Sequence, residues 1–351
     1  MSIDAEIKRY DKSDMRSAIE GCPQQFNHIL AKYAAWEPTG AAGSIRKVLF
    51  LGMGGSAIGG DMVRIWVERN SQIPMTVIRS YEIPKWVDDE TLVIASSYSG
   101  NTEETLSAVS EAAATGAHIS VITSGGELAN LARESGWEHI EMPGGLQPRA
   151  AIGYSVASVA VVLAAFGILS SSILDEISAG AKRMEAEGRL WGDPQQDDNH
   201  LYNLAGTLME QLPVIYGVAG TTEALAIRLR GQLAENSKIM SSHHILPEQN
   251  HNEIVGLAER IKHTGDPLVI WLADKEDHPR VGLRRKLAGE LTGTYPSRET
   301  VMSGNGDSLI QRNLSLLHQL DWLSFYAAIL GGNDPSQIEI LMQLKEKMQQ
   351  Q

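Results

Sequence analysis

The spacing of apolar positions changes character along the chain. Over residues 1–43, Ile19, Phe26, Ile29, Leu30 and Tyr33 recur at helical intervals, predicting helices with one buried face that end in the loop Glu37-Pro-Thr-Gly-Ala-Ala-Gly43. From Val48 onward, short β-branched and apolar runs take over: Val48–Leu51, Met75–Ile78, Leu92–Ser96, His118–Ile122 and His139–Glu141. Helical patterns over 57–69, 102–115 and 127–135 separate them. Strands alternating with helices predict a parallel, doubly wound sheet. Residues 150–190 read as one or two further helices, and Trp191–Asp198 as a polar linker.

The plan then repeats. Leu212–Gly217 reads as a strand entering a glycine turn, 222–238 as a helix, Leu268–Leu272 as a strand and Arg280–Leu291 as a basic helix. Thr300–Met302 is a short strand, and helices over 308–331 and 335–349 close the chain. The expectation is an α/β protein of two similar doubly wound domains packed face to face. Residues 1–43 form a helical lead-in, 44–190 a first domain that holds a phosphate, and 199–351 a second domain with C-terminal helices.

Composition narrows the function. A chain of 351 residues is long for one core, and 43% hydrophobic with 21% charged residues describes a soluble globular protein. A net charge of −13 argues against a general nucleic-acid binder. It leaves room for an anionic substrate, because a few local cations and amides set the field of a cleft. The single Cys22 excludes an internal disulfide framework and a cysteine-built metal site. The first residues lack a signal peptide's basic and apolar regions, and Ala150–Leu169, with Tyr154 and small-residue breaks, suits a buried helix better than a membrane span. A cytoplasmic protein is expected.

Two turns carry candidate chemistry. Leu51-Gly-Met-Gly-Gly-Ser-Ala-Ile-Gly-Gly-Asp61 follows the first strand, where Gly54 and Gly55 let backbone amides approach a ligand and Ser56 adds a hydroxyl. Ser96-Ser-Tyr-Ser-Gly-Asn-Thr-Glu-Glu-Thr105 follows a buried strand and crowds Ser97, Ser99 and Thr102 into the start of the next helix, with Thr102 a candidate N-cap. Hydroxyls and amides can converge there on one phosphate. A turn glycine-rich for packing alone, and a capped helix behind a serine-rich loop, fit the same residues. Neither stretch places a lysine beside its last glycine, so neither is a nucleotide loop of the Walker type.

Gly-Met-Gly-Gly-Ser and Ser-x-Ser-Gly-Asn-Thr-x-Glu-Thr resemble the sugar isomerase (SIS) domain, whose members hold a phosphosugar phosphate with them. Three further stretches narrow the resemblance: Gln147-Pro-Arg-Ala-Ala-Ile-Gly-Tyr-Ser155, Glu235-Asn-Ser-Lys238 and Leu246-Pro-Glu-Gln-Asn-His-Asn-Glu253. Together they resemble the bifunctional phosphoglucose/phosphomannose isomerases over nearly the whole chain, in order. The resemblance implies two SIS-type, flavodoxin-like domains and an aldose–ketose isomerase acting on glucose 6-phosphate, and on mannose 6-phosphate, without a cofactor.

The resemblance also implies roles. Glu235 is the base that moves a proton between C1 and C2, a task a carboxylate can perform. Arg149 stabilises the enediolate, and His251 opens the sugar ring. Read without the family, these are a glutamate at a helix end, a surface cation and a histidine exposed on a polar loop spanning 246–265. Gly332-Asn-Asp-Pro-Ser336 and Leu344-Lys345 resemble the family's closing segment, where a threonine follows Asp-Pro and a lysine comes later. Here Ser336 keeps the hydroxyl without the methyl, which bears on tolerance of the C2 epimer, and Lys345 takes the lysine's place. His243, His244, Glu248 and His251 invite a zinc site, but the order is not His-Glu-x-x-His and Pro247 breaks the helix such a motif needs, so no metal is expected. The resemblance further implies a homodimer in which His251 enters the neighbouring subunit's site. A non-catalytic phosphosugar-binding regulator, and an isomerase or deaminase of another phosphosugar, share the phosphate motifs.

Overall fold

The computed structural model describes residues 3–39, 45–194, 199–259, 267–292 and 299–350. Residues 40–43 of the expected lead-in loop, 195–198 of the linker and 260–265 of the His251 loop lie outside the described residues. Three helices open the chain: α1 (Ile3–Tyr10), α2 (Met15–Glu20) and α3 (Cys22–Tyr33). The first α/β unit follows as β1 (Lys47–Leu51), α4 (Gly54–Asn70), β2 (Met75–Ile78), β3 (Thr91–Ser97), α5 (Glu103–Ala113), β4 (His118–Thr123), α6 (Gly126–Ser135) and β5 (Glu138–Glu141). A 3₁₀ turn at Pro148–Ala150 leads to α7 (Ile152–Ala165), α8 (Ser172–Trp191) and α9 (His200–Leu208).

The second unit comprises β6 (Pro213–Val218), α10 (Glu223–Gln232), β7 (Ser242–Leu246), α11 (Glu253–Ala258), β8 (Leu268–Leu272), α12 (Pro279–Thr292) and β9 (Glu299–Met302). Helices α13 (Leu309–Leu330) and α14 (Glu339–Gln349) end it. Both sheets are parallel, with orders β2-β1-β3-β4-β5 and β7-β6-β8-β9. All of β3 and β8 is buried, as parallel strands covered on both faces must be. The first order is the flavodoxin-like one.

The expected alternation is present, with local differences, among them the unexpected helix α9. Helix α4 starts at Gly54, ahead of the expected Ala57, because packing overrides the poor helix propensity of the glycines. Strand β7 was not expected, since Ser242-His-His-Ile-Leu246 has no apolar alternation. It pairs with β6 at one edge of its sheet and stays partly exposed. The 246–265 stretch is not simply a loop, because a 3₁₀ turn at Glu248–His251 runs into α11.

Helix α13 ties the units together. Every residue from Leu309 to Ile329 is buried, so other elements surround the helix, and its buried polar side chains, Arg312, Asn313 and Asp321 among them, hydrogen-bond to those elements. Its neighbours include α8, α9 and α10, and one continuous apolar core joins residues of both units. Polar contacts also cross between them: Trp66 Nε1 donates to Asn313 Oδ1 at 3.1 Å, and Arg64 of α4 pairs with Glu223 of α10. Among the described residues no helix is long and apolar enough to cross a membrane.

Candidate active site

In a sheet of this order the topological switch point lies between β1 and β3, and ligands bind at the carboxyl ends of those strands. Both glycine- and serine-rich turns sit there. Their glycines fit the packing: a Cβ on Gly52 would meet Ser96 O at 3.1 Å, and Gly54 has φ +48 in open space. Gly100, at φ +70, would drive a Cβ to within 1.7 Å of Gly125 O, so this turn accepts no side chain. Tyr98 N donates to Ser56 Oγ at 3.3 Å and binds the two turns together.

The serine hydroxyls are partly organised by the loop itself. Ser97 Oγ and Thr102 Oγ1 share a hydrogen bond of 2.8 Å, Gly100 N donates to Ser97 Oγ at 3.1 Å, and Asn101 N donates to Ser99 Oγ at 3.3 Å. Thr102 occupies the N-cap of α5, but its hydroxyl faces Ser97 and makes no cap bond to the helix. The first amides of α4 and α5 remain available for an anion.

Arg149 stands on the 3₁₀ turn behind this cradle. A Cβ on Gly55 would meet Pro148 O at 3.1 Å and Arg149 N at 3.3 Å, so that glycine lets the arginine's backbone come close. Gln25 of α3 clamps the same turn, donating to Ala150 O at 2.7 Å and accepting from Gly153 N at 3.0 Å. Tyr98 OH holds the approach, donating to Pro143 O at 2.9 Å and accepting from Leu146 N at 3.1 Å.

The guanidinium is only 5% exposed. Its Nε donates to Asn236 Oδ1 at 2.6 Å, Nη1 to Glu235 Oε2 at 3.3 Å, and Nη2 to Pro335 O at 2.6 Å and Ser336 O at 3.2 Å. Burial pulls its pKa below the usual value while the Glu235 charge pushes it up, and arginine stays a cation throughout.

Glu235 is reached by a change of helix type. Helix α10 passes at Leu233 into a π-helical turn ending at Ser237, and Lys238 leaves it with φ +57. Such turns often mark functional positions. The Glu235 side chain is 38% exposed and open to a substrate on one side. Lys238 Nζ donates to Glu235 O at 2.9 Å, Asn236 O at 3.2 Å and Asp334 O at 2.6 Å, and burial and then the Arg149 charge lower its pKa. Ser336 is buried, held by its N–H on Asp334 Oδ1 at 2.8 Å.

Arg149, Glu235 and Ser336 thus meet, as do Ser97 and Thr102. His251 is exposed at the end of its 3₁₀ turn and Lys345 is exposed on α14. Among the described residues no hydrogen bond or ion pair joins either to the Arg149 group. His243 and His244 are successive residues of β7 and point to opposite faces of the sheet. Gln25, Tyr98, Asn236 and Lys238 went unassigned in the sequence. Asn236 and Lys238 lay inside a quoted motif, whereas nothing near Gln25 marked it.

Residues 44–168 match the family described as SIS domain, and residues 197–348 match the bacterial phospho-glucose isomerase C-terminal SIS domain. The chain is 41% identical over 309 residues to the bifunctional phosphoglucose/phosphomannose isomerase of Caldicellulosiruptor bescii, covering 88% of this chain and 91% of that protein. The chain belongs to the bifunctional phosphoglucose/phosphomannose isomerase family. The member from Aquifex aeolicus is 32% identical over 302 residues, covering 86% and 90% of the two chains. The fold is shared more widely. The C-terminal domain of glucosamine-fructose-6-phosphate aminotransferase from Francisella tularensis superposes with a TM-score of 0.73 at 16% identity, over 92% of this chain and 98% of that one. Within the family's frame, the cradle after β1 and β3 and the Arg149–Glu235 pair are the two parts of one candidate site.

Proposed function

We propose that this protein interconverts glucose 6-phosphate and mannose 6-phosphate with fructose 6-phosphate, using its own side chains for the proton transfers. One observation carries the reading: a buried arginine stands 3.3 Å from a half-exposed glutamate, Arg149 and Glu235, in a chain of this family. The phosphate takes the amides at Gly54 and Gly55 and the hydroxyls of Ser56, Ser97, Ser99 and Thr102. Glu235 removes the proton from C2 of the open-chain aldose, and the negative charge develops on the enediolate oxygens. Arg149, itself buried, offsets that charge with a cation already fixed in place. Returning the proton to C1 gives the ketose, and delivering it to C2 from either face gives the two epimeric aldoses.

His251 opens the ring by taking the O1 proton while O5 gains one. We place it in the neighbouring subunit's site of a homodimer, in keeping with its exposure and its separation from Arg149. Ser336 presents its hydroxyl near C2, and Lys345 approaches the site from α14. The reaction belongs in the cytoplasm, where phosphosugars are available. Incubating the purified protein with glucose 6-phosphate and following fructose 6-phosphate tests the reading. Turnover is the expected result, and its absence with both aldoses overturns it.

A further inference from the structure

A buried chain of amides runs from α13 to Arg149, and its direction is fixed from one end. The Asp321 carboxylate accepts from Arg228 Nε at 3.0 Å and Nη2 at 2.7 and 2.8 Å, and from Gln232 Nε2 at 2.7 Å. A carboxylate only accepts. Gln232 therefore turns its NH₂ toward Asp321 and its Oε1 the other way. That oxygen accepts from Asn236 Nδ2 at 2.8 Å.

Asn236 Nδ2 also donates to Ser324 Oγ at 3.0 Å, and Ser324 in turn spends its own proton on Asp321 O at 2.9 Å. With both amide protons placed, Asn236 has only Oδ1 left to present, and it accepts from Arg149 Nε at 2.6 Å. Arg228 adds a second link, Nη2 to Arg149 O at 3.1 Å. Asp321, Arg228, Gln232, Asn236, Ser324 and Arg149 are each 5% exposed or less. Positions 228, 232 and 236 recur every fourth residue, which keeps all three on one face of the helix.

We propose that Asp321, Gln232 and Asn236 are positioning residues for the isomerisation step, forming a directional relay that fixes the plane of the Arg149 guanidinium and its gap to Glu235. The proposal rests on Arg149 and Glu235 being the reacting pair. If the Asn236 amide turned over, its NH₂ would face the Nε–H of Arg149, donor against donor, and the guanidinium would have to swing. Displacements of about 1 Å in a site cost on the order of a hundredfold in rate. Gln232 is sealed behind Asn236, so its effect falls on turnover and leaves substrate binding in place.

Two variants test the relay beside the wild type. Gln232→Met keeps the volume and removes both hydrogen bonds. It is expected to lower kcat by about ten- to a hundredfold with KM for glucose 6-phosphate within about twofold. Wild-type kcat in the folded variant overturns the relay. Should Gln232→Met fail to fold, Gln232→Glu is read instead. A neutral glutamic acid donates to Asp321 and accepts from Asn236 as glutamine does, and an ionised one cannot donate.

The charged groups around position 232 are Asp321 of α13, Arg228 of α10 and, beyond Asn236, Arg149 and Glu235. Beside the Asp321 carboxylate the new acid holds its proton well above the ordinary range. The ratio of its kcat to that of the wild type should therefore fall by about tenfold or more between about pH 6 and about pH 9. A ratio that stays near one at a pH where infrared difference spectra show the added carboxyl ionised overturns the relay. Glu235→Gln assayed alongside separates the two claims: if it keeps turnover, the reading of the reacting pair fails. If it is inactive while Gln232→Met works at the wild-type rate, the relay alone fails.

Discussion

Arg149 Nη1 and Glu235 Oε2 lie 3.3 Å apart although 86 positions separate them, with one residue behind the first α/β unit and the other on the π-turn of the second. Neither side chain alone is unusual. Together they give a carboxylate open to substrate beside a cation that cannot move away, because the guanidinium is also tied to Asn236, Pro335 and Ser336. Acid–base work on a carbon acid needs that pairing of a base with a fixed charge.

Removing the base should separate binding from chemistry. Glu235→Gln keeps the side chain's shape and leaves the turns after β1 and β3, where we propose the phosphate binds, untouched. Phosphosugar binding, measured by calorimetry, should persist while kcat falls by about two to four orders of magnitude. Near-normal turnover would remove Glu235 from the role of base.

Adding one methyl group should disturb the arginine. In Gly55→Ala the new Cβ meets Pro148 O at 3.1 Å and Arg149 N at 3.3 Å, so the 3₁₀ turn must shift by a few tenths of an ångström. A cost of about 1–3 kcal/mol in unfolding free energy is expected, with a larger fractional loss of kcat than of substrate affinity. An alanine variant matching the wild type in both would show that this approach is loose.

The pH dependence of stability should carry a histidine component. Burial holds His318 below the ordinary imidazole value of 6.5. Its folded pKa is depressed, so above about 6.5 both folded and unfolded states are neutral there. As pH falls below 6.5 the unfolded state takes up the proton first, and stability drops. The melting temperature should decline from pH 7 to pH 5, and His318→Gln should flatten that slope. An unchanged slope would assign the decline to other groups.

Subunit mixing tests the homodimer. Glu235→Gln and His251→Ala proteins should each be nearly inactive. If His251 serves its neighbour's site, every mixed dimer has one site with both lesions and one with neither. Since half the dimers are mixed after random exchange, about a quarter of wild-type activity should return. No recovery after verified exchange would put His251 and Glu235 of one site on the same chain.

The alternation of strands and helices was legible in the chain because apolar period reports burial on one face or two. The same signal failed at β7, a sheet-edge strand whose Ser242, His243 and His244 are not apolar, so its existence depends on pairing with β6. It also failed at the start of α4, where glycines enter a helix against their propensity so that backbone can pass close to Arg149. Among site residues, Arg149 and Glu235 could be named from contiguous motifs, whereas Tyr98, Asn236 and Lys238 lay in such motifs without a role until their hydrogen bonds were seen. Gln25 and Asp321 could not be named, since each acts on a partner more than eighty positions away.

By itself, then, the sequence determined the two parallel α/β units and the glycine- and serine-rich turns after β1 and β3, because strand period, glycine placement and clustered hydroxyls are local properties of consecutive residues. Only the tertiary structure decided that Arg149 is buried rather than at a surface, that Glu235 sits on a π-turn 3.3 Å from it, and that the Gln232 and Asn236 amides run from Asp321 to Arg149. The physical reason is one of range. Charges and hydrogen bonds act over a few ångströms in space, and packing both units around α13 is what makes distant positions neighbours.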